Sequence, residues 1–193
     1  LNGNVNADIM LTGPSLSDLR LESKASGKVW TKKLDVISDK EIKPFNIILN
    51  GNLGSGDGKF SLLNFNYSLL ALVAPIPSSV HGYFGIKGKY SVDNSTPKVT
   101  ADLIIEDTKI YNRDITLDNG KILLKDNYLD FDIALRDKNS INPIKFSGVY
   151  PLTSSVPIDL KIESHGDGLA FLTGLTEGSV SWISGTADLS LLI

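Results

Sequence analysis

The chain has 193 residues, enough for one ordinary domain or a stretch of a repeat protein, and its hydrophobic fraction of 41% can fill a core but not a membrane bundle. A formal net charge of −3 argues against a nucleic-acid partner, whose binding needs a plain basic excess. With no Cys and two His, thiol catalysis, disulfides, Fe–S clusters, Cys-ligated zinc and His-rich metal sites are excluded.

The elements in chain order are strands. Val5, Ala7, Ile9 and Leu11 alternate with Asn4, Asn6 and Asp8, and Leu19, Leu21, Ala25 and Val29 alternate with Arg20, Glu22, Lys24 and Lys28. The pattern returns in Val80, Phe84, Ile86, Tyr90 and Val92, in Leu129, Phe131, Ile133 and Leu135, and in Ile158, Leu160 and Ile162. Side chains of a strand point to opposite faces in turn, so period two means one apolar and one solvated face, as antiparallel sheets have. Turns are expected at Ser38-Asp39-Lys40, Gly54–Gly58, Asp93-Asn94-Ser95, Asp118-Asn119-Gly120 and Lys125-Asp126-Asn127, with Asn119-Gly120 read as a two-residue hairpin. This gives a meander of roughly a dozen strands by the usual strand and turn spacing. Two short helical segments are expected, at Leu62–Val73 and Gly168–Leu175. The apolar run Leu69–Ile76 is about half of a membrane span of ~20 residues and contains Pro75.

The chain also repeats itself. Val5–Leu11 matches Val99–Ile105, Leu34-Asp35-Val36 matches Phe131-Asp132-Ile133, and Asp39-Lys40 matches Asp137-Lys138. Ile42–Ile47 matches Ile141–Phe146, and Leu69, Leu72, Ser79, Val80 and Gly85 match Leu169, Leu172, Ser179, Val180 and Gly185. The offset drifts from 94 to 100 residues, so two units are expected, residues 1–96 and 97–193. Such units stack edge to edge and share one apolar face. The chain opens at Leu1 inside a strand pattern and closes on Leu191-Leu192-Ile193, so it reads as an internal segment of a longer repeat protein.

No catalytic constellation emerges, and the chain is expected to be non-enzymatic, without cofactor or metal. Gly54–Lys59 fails the phosphate-loop template, because Phe60 stands where Ser or Thr is needed. No G-x-S-x-G elbow is present. His81 and His165 read as surface or turn residues, and Asp126, Asp130 and Asp132 as a solvated strand face without an EF-hand spacing. Trp182 is either a ligand-facing or a packing aromatic, the latter favoured. The apolar face remains as the candidate, read equally as a lipid groove or as a self-filled core. Its residues are Val5, Ile9, Leu19, Leu21, Phe84, Ile86, Leu103, Ile105, Leu117, Phe131, Ile133, Leu135, Leu160, Ile162, Leu189 and Leu191. A wide aliphatic groove must be covered or hold something apolar, and an acyl chain gains ~0.8 kcal/mol per buried methylene without needing a polar partner.

The strand-repeat pattern, the stretch Pro97–Leu152 and the closing Gly168-Leu169-Ala170-Phe171-Leu172 and Trp182–Leu191 resemble the TamB family of translocation and assembly module proteins, in its cyanobacterial or chloroplast-envelope form. The resemblance implies an all-β, elongated, rolled (taco-like) antiparallel sheet with an apolar groove and short helical crossings. It implies a periplasmic segment of an envelope protein anchored in the inner membrane. The implied cargo is phospholipid acyl chains, and the implied partners are adjacent repeats and, through parts outside this segment, an Omp85-family outer-membrane barrel. The implied role is phospholipid movement and outer-membrane biogenesis or protein translocation. The alternatives are a structural or adhesive β-solenoid with a self-filled core, and a chaperone-like groove for outer-membrane protein strands.

Overall fold

The structure is a computed structural model, and it describes residues 2–30, 42–70, 79–93, 96–152, 159–171, 176, 179 and 189–192. The expected turn at Ser38-Asp39-Lys40, the repeat matches at Leu34–Val36, Leu72, Val180 and Gly185, and Trp182 lie outside the described residues.

The chain is all-β. Eleven strands form one antiparallel sheet in which spatial order equals sequence order. They are β1 (Asn2–Thr12), β2 (Arg20–Trp30), β3 (Phe45–Asn52), β4 (Asp57–Asn66), β5 (Val80–Asp93) and β6 (Thr96–Ile110). There follow β7 (Arg113–Lys125), β8 (Tyr128–Asp137), β9 (Ile144–Pro151), β10 (Asp159–Ser164) and β11 (Leu189–Leu192). β1 and β11 are the two edges, so the sheet is open. From β5 to β8 consecutive strands are joined by two residues each, which an antiparallel pair allows and a parallel pair, needing a long crossover, does not.

Helical structure is slight. One turn of α-helix, α1 (Tyr67–Leu70), follows β4, and a 3-10 turn, Gly166–Ala170, follows β10. The helix expected over Leu62–Val73 is therefore corrected: Leu62–Asn66 ends β4, and only Tyr67–Leu70 is helical among the described residues. The reason is a bulge. β4 carries an extra residue between Leu62 and Phe65, and Asn64 sits at φ 60°. Leu62 and Phe65 thereby fall on one face three residues apart, a spacing that imitates a helix. Of the helix expected over Gly168–Leu175, a 3-10 turn occupies the first part and residues 172–175 lie outside the described set.

The turn chemistry brings a second correction. Asp118-Asn119-Gly120 is not a hairpin but lies inside β7, at a register shift between Leu117 and Asn119. The hairpin before it is made by Tyr111-Asn112 (φ 47° and 62°) and the one after it by Asp126-Asn127 (φ 52° and 64°). Both central residues lie in the left-handed region, as the twist of a two-residue hairpin requires.

The repeat matches fall on β1 and β6, and on the starts of β3 and β9. The boundary at residues 96 and 97 falls at the start of β6, and the sheet runs on across it. β2 pairs directly with β3, whereas β8 stands between β7 and β9.

Candidate functional site

Directly paired residues of neighbouring antiparallel strands share a face, so the register sorts the whole sheet. One row runs Ala7–Ala25–Ile47–Leu62–Ile86–Leu103 across β1 to β6. It resumes as Gly120–Ile133–Phe146–Ile162 across β7 to β10 and ends at the register position of Leu191 in β11. Gly120 lies against Leu103: a Cβ there would stand 2.9 Å from the Cβ of Leu103, so glycine lets β6 and β7 close up at this point. Every position in this row is apolar. At ~4.8 Å per strand, it is about 48 Å long.

The next rows are nearly as apolar. On one side lies Ile9–Ser23–Leu49–Phe60–Gly88–Ala101–Ile122–Phe131–Gly148–Leu160. On the other lie Val5–Gly27–Phe45, then Phe65–Phe84–Ile105, then Leu117–Leu135–Ile144–Ser164 and the position of Leu189. Thirteen of the candidates therefore share one face: Val5, Ile9, Leu21, Phe84, Ile86, Leu103, Ile105, Leu117, Phe131, Ile133, Leu135, Leu160 and Ile162. Leu189 and Leu191 pair with Ser164 and Ile162 of that face. Leu19 lies just outside β2, where its carbonyl accepts a hydrogen bond from the Leu53 amide at 2.8 Å.

The face is covered unevenly. At the β1 edge Val5 is 57% and Ile9 70% exposed. The remaining candidates with described side chains are half-buried. The largest buried side chains of the face lie at one end of the strands, where Ile110, Ile115, Ile144 and Phe171 form a cluster with Val80, Ile105, Leu135, Phe146 and Ile162 packed against it. Phe171, just past the 3-10 turn, meets Phe146 edge-on with ring centroids 6.3 Å apart. At the same end Phe45, Phe65, Phe84 and Tyr67 stack in series at 5.2–5.8 Å. Burial pushes the Tyr67 hydroxyl pKa up, and the Thr108 hydroxyl 3.3 Å away works against that. Ile110, Ile115, Ile144 and Phe171 are not among the candidates the sequence singled out for the face, whereas Phe84, Ile105, Leu135 and Ile162 are. Alternation shows which residues share a face but not which end of the face is covered.

Polar groups brace the covered end. The fully buried carboxylate of Asp137 accepts from Arg113 Nη1 at 2.6 Å and from the Asn139 amide at 2.9 Å. Asp167, in the 3-10 turn, accepts from the amides of Ile141 (2.8 Å) and Asn142 (2.9 Å), tying the turn to the loop before β9. Those amide bonds hold its carboxyl below the usual range.

The opposite face is charged and polar. Lys87, Asp102, Lys121 and Asp132 alternate in sign along one row, and Lys121 bonds to Asp102. Two concavities, of ≈ 740 and ≈ 670 Å³, are lined mostly by residues of this face. Among the described residues no group of three or more His, Asp or Glu is close enough to hold a metal ion. The Gly54–Gly58 stretch spans the β3–β4 turn (residues 53–56) and the start of β4, and Asn52 Oδ1 accepts from the amides of Gly54 and Ser55. No protein-family model, curated protein or solved structure matches the chain.

Proposed function

We propose that this chain is a non-enzymatic segment of a periplasmic, envelope-spanning protein, and that its apolar sheet face carries phospholipid acyl chains with their headgroups in water. The observation that supports this reading most is the central row from Ala7 to Ile162, in which no polar side chain interrupts the path between β1 and β10. An acyl chain needs such a path, since it can satisfy no hydrogen bond and loses nothing by leaving water. Contact with an Omp85-family barrel, and a role in outer-membrane biogenesis, would belong to parts of the protein outside these residues.

The test is native mass spectrometry with lipid extraction on protein purified from a diderm bacterium. Co-purified phospholipid, lost in Ile133→Asp with the fold intact, is the expected result. The variant puts a carboxylate in the central row, where desolvating it against an acyl chain is costly. A lipid-free mass with a cooperative, lipid-independent melt would instead favour the self-filled reading. That reading draws on the burial of Ile110, Ile115, Ile144 and Phe171 at one end of the face.

A further inference from the structure

The polar face carries a feature that its charge pattern does not explain. Opposite charges face one another throughout the register: Asp8 and Lys24, Lys87 and Asp102, Asp102 and Lys121, Lys121 and Asp132, Lys109 and Asp114, Lys145 and Glu163. Among the described residues, Lys59 and Lys89 are the one like-charged pair set directly opposite. Like charges so placed destabilise a sheet. Lys87 lies two residues from Lys89 on the same face of β5, and Lys98 lies diagonal to Lys89, opposite Ser91.

Glu22 and Asp57 line the larger concavity and Asp102, Asp130 and Asp132 the smaller, but each is bonded elsewhere or set off from Lys59 and Lys89 by neutral residues. Asp102, opposite Lys87, is bonded to Lys121. Asp57 accepts the Ser55 hydroxyl, and Asp132 accepts from the Asn119 amide nitrogen at 2.7 Å. Glu22 is separated from Lys59 by Asn50 in the same row, and Asp130 from Lys89 by Thr100 and Leu123. Lys59, Lys87, Lys89 and Lys98 make no ion pair among the described residues, whereas Lys43, Lys109, Lys121 and Lys161 each do. Both concavities of the polar face include Lys59 and Lys89 in their walls; Lys98 joins them in the larger and Lys87 in the smaller.

We infer that Lys59, Lys87, Lys89 and Lys98 form a binding site for a multivalent phosphate anion on the polar face of the sheet. Cross-strand neighbours stand about 5 Å apart and i, i+2 neighbours about 7 Å apart, so the ammonium groups of Lys59, Lys87 and Lys89 span the width of one diphosphate group. Each ammonium offers three rotatable donors to phosphate oxygens. Asn50 and Thr100 flank the pair in the same row and add neutral polar groups. An anion between Lys59 and Lys89 converts their repulsion into two charge-assisted contacts. The site is on the face opposite the acyl-chain path, so it stands or falls independently of that reading.

The experiment is isothermal titration calorimetry of the purified protein with pyrophosphate at low ionic strength, beside co-sedimentation with phosphatidylcholine vesicles with and without phosphatidic acid. Lys59→Gln/Lys89→Gln is the test variant, and Lys161→Gln, on the same face, is the control. Pyrophosphate binding that weakens at least tenfold in the double variant and is unchanged in the control is the expected result, and it assigns the site to a soluble phosphate. Binding confined to phosphatidic acid vesicles, with the same variant dependence, assigns it to a lipid headgroup. Removing the like-charged pair relieves repulsion, so the double variant should melt no lower than the wild type in the absence of anion, which separates lost binding from lost folding. Absence of binding to both probes, or binding equal in the wild type and the double variant, overturns the site.

Discussion

Phe171→Ala tests whether the 3-10 turn is part of the core or merely rests on the sheet. Phe171 is 2% exposed and clusters with Ile110, Ile115 and Ile144, with its ring edge-on to Phe146. Truncating a buried Phe to Ala costs about 3–5 kcal/mol, the lost transfer energy plus the cavity left behind. The lower part of that range, about 3 kcal/mol, applies here. The Asp167 bonds to Ile141 and Asn142 still hold the turn, and a segment held from one side can settle into part of the cavity. For a chain of this size that is a fall in Tm of about 6–12 °C, and a large share of a typical total stability of about 5–15 kcal/mol. Urea unfolding followed by far-UV circular dichroism measures it, with an unchanged slope showing that the same surface unfolds. Phe171→Leu, which keeps most of the volume, should cost about 1 kcal/mol. A loss under about 1 kcal/mol for Phe171→Ala, at constant slope, would mean that the turn does not plug this end of the face, and the covered-end description would be wrong.

Three other outcomes follow from the same end of the sheet. Arg113→Met leaves the Asp137 carboxylate buried without its cation and should cost about 2–3 kcal/mol in urea, at or below the usual range for breaking a buried pair because Arg113 is a third exposed. Adding Asp137→Leu should restore most of the loss. Asp167 has a depressed carboxyl pKa in the folded state, so its contribution is present above the ordinary carboxylate pKa of about 3.9 and disappears as pH falls through the lower folded value. Hydrogen exchange at the Ile141 and Asn142 amides should therefore lose its protection in acid, and at neutral pH in Asp167→Ala. Finally, Ser164 is fully buried and its hydroxyl has no hydrogen-bond partner among the described residues. Ser164→Ala should be neutral or stabilising by up to about 1 kcal/mol, and a loss of more than that would show that the hydroxyl is satisfied after all.

The shared face was legible in the sequence because alternation survives wherever a strand is regular. Phe131, Ile133 and Leu135 needed no more than their spacing. Bulges hid the rest. β6 takes an extra residue around Asp107, φ 48°, so Ile105 and Ile110 share a face although they are five residues apart. Opposite it Gly82 sits at φ 111°, where a Cβ would meet the Asp107 carbonyl oxygen at 2.5 Å. Such irregularities follow from how two strands fit, which no single strand pattern contains. The Tyr111-Asn112 turn was illegible for a different reason. Tyrosine is an unusual occupant of the left-handed region, whereas Asn119-Gly120, a far better turn pair by composition, lies inside β7 and pairs with Ala134 and Ile133 of β8. The Lys59–Lys89 opposition required the register itself, since the two residues are thirty positions apart in a chain rich in scattered lysines.

The bulges carry the argument for the apolar face beyond local geometry. A one-residue slip turns every side chain of a strand to the other side, so an extra residue in mid-strand ought to break an apolar row. It does not. After the extra residue in β4 the apolar phase passes from Leu62 to Phe65, and after that in β7 it passes from Leu117 to Gly120 and Ile122. The residue types shift phase at the same places as the backbone, and the rows continue on both sides of each irregularity. A strand that merely tolerated a bulge would show polar residues facing inward beyond it. Coverage of this surface is uneven in both directions, along the strands and across the sheet. Near the Gly166–Ala170 turn it is covered by the chain's own Phe171 and its neighbours. Across Val5 and Ile9 it remains open to water on an edge strand. A central row kept apolar past these backbone irregularities, covered by Phe171 at one end of the strands and exposed along the edge strand β1, accommodates the proposed acyl-chain path and a core alike.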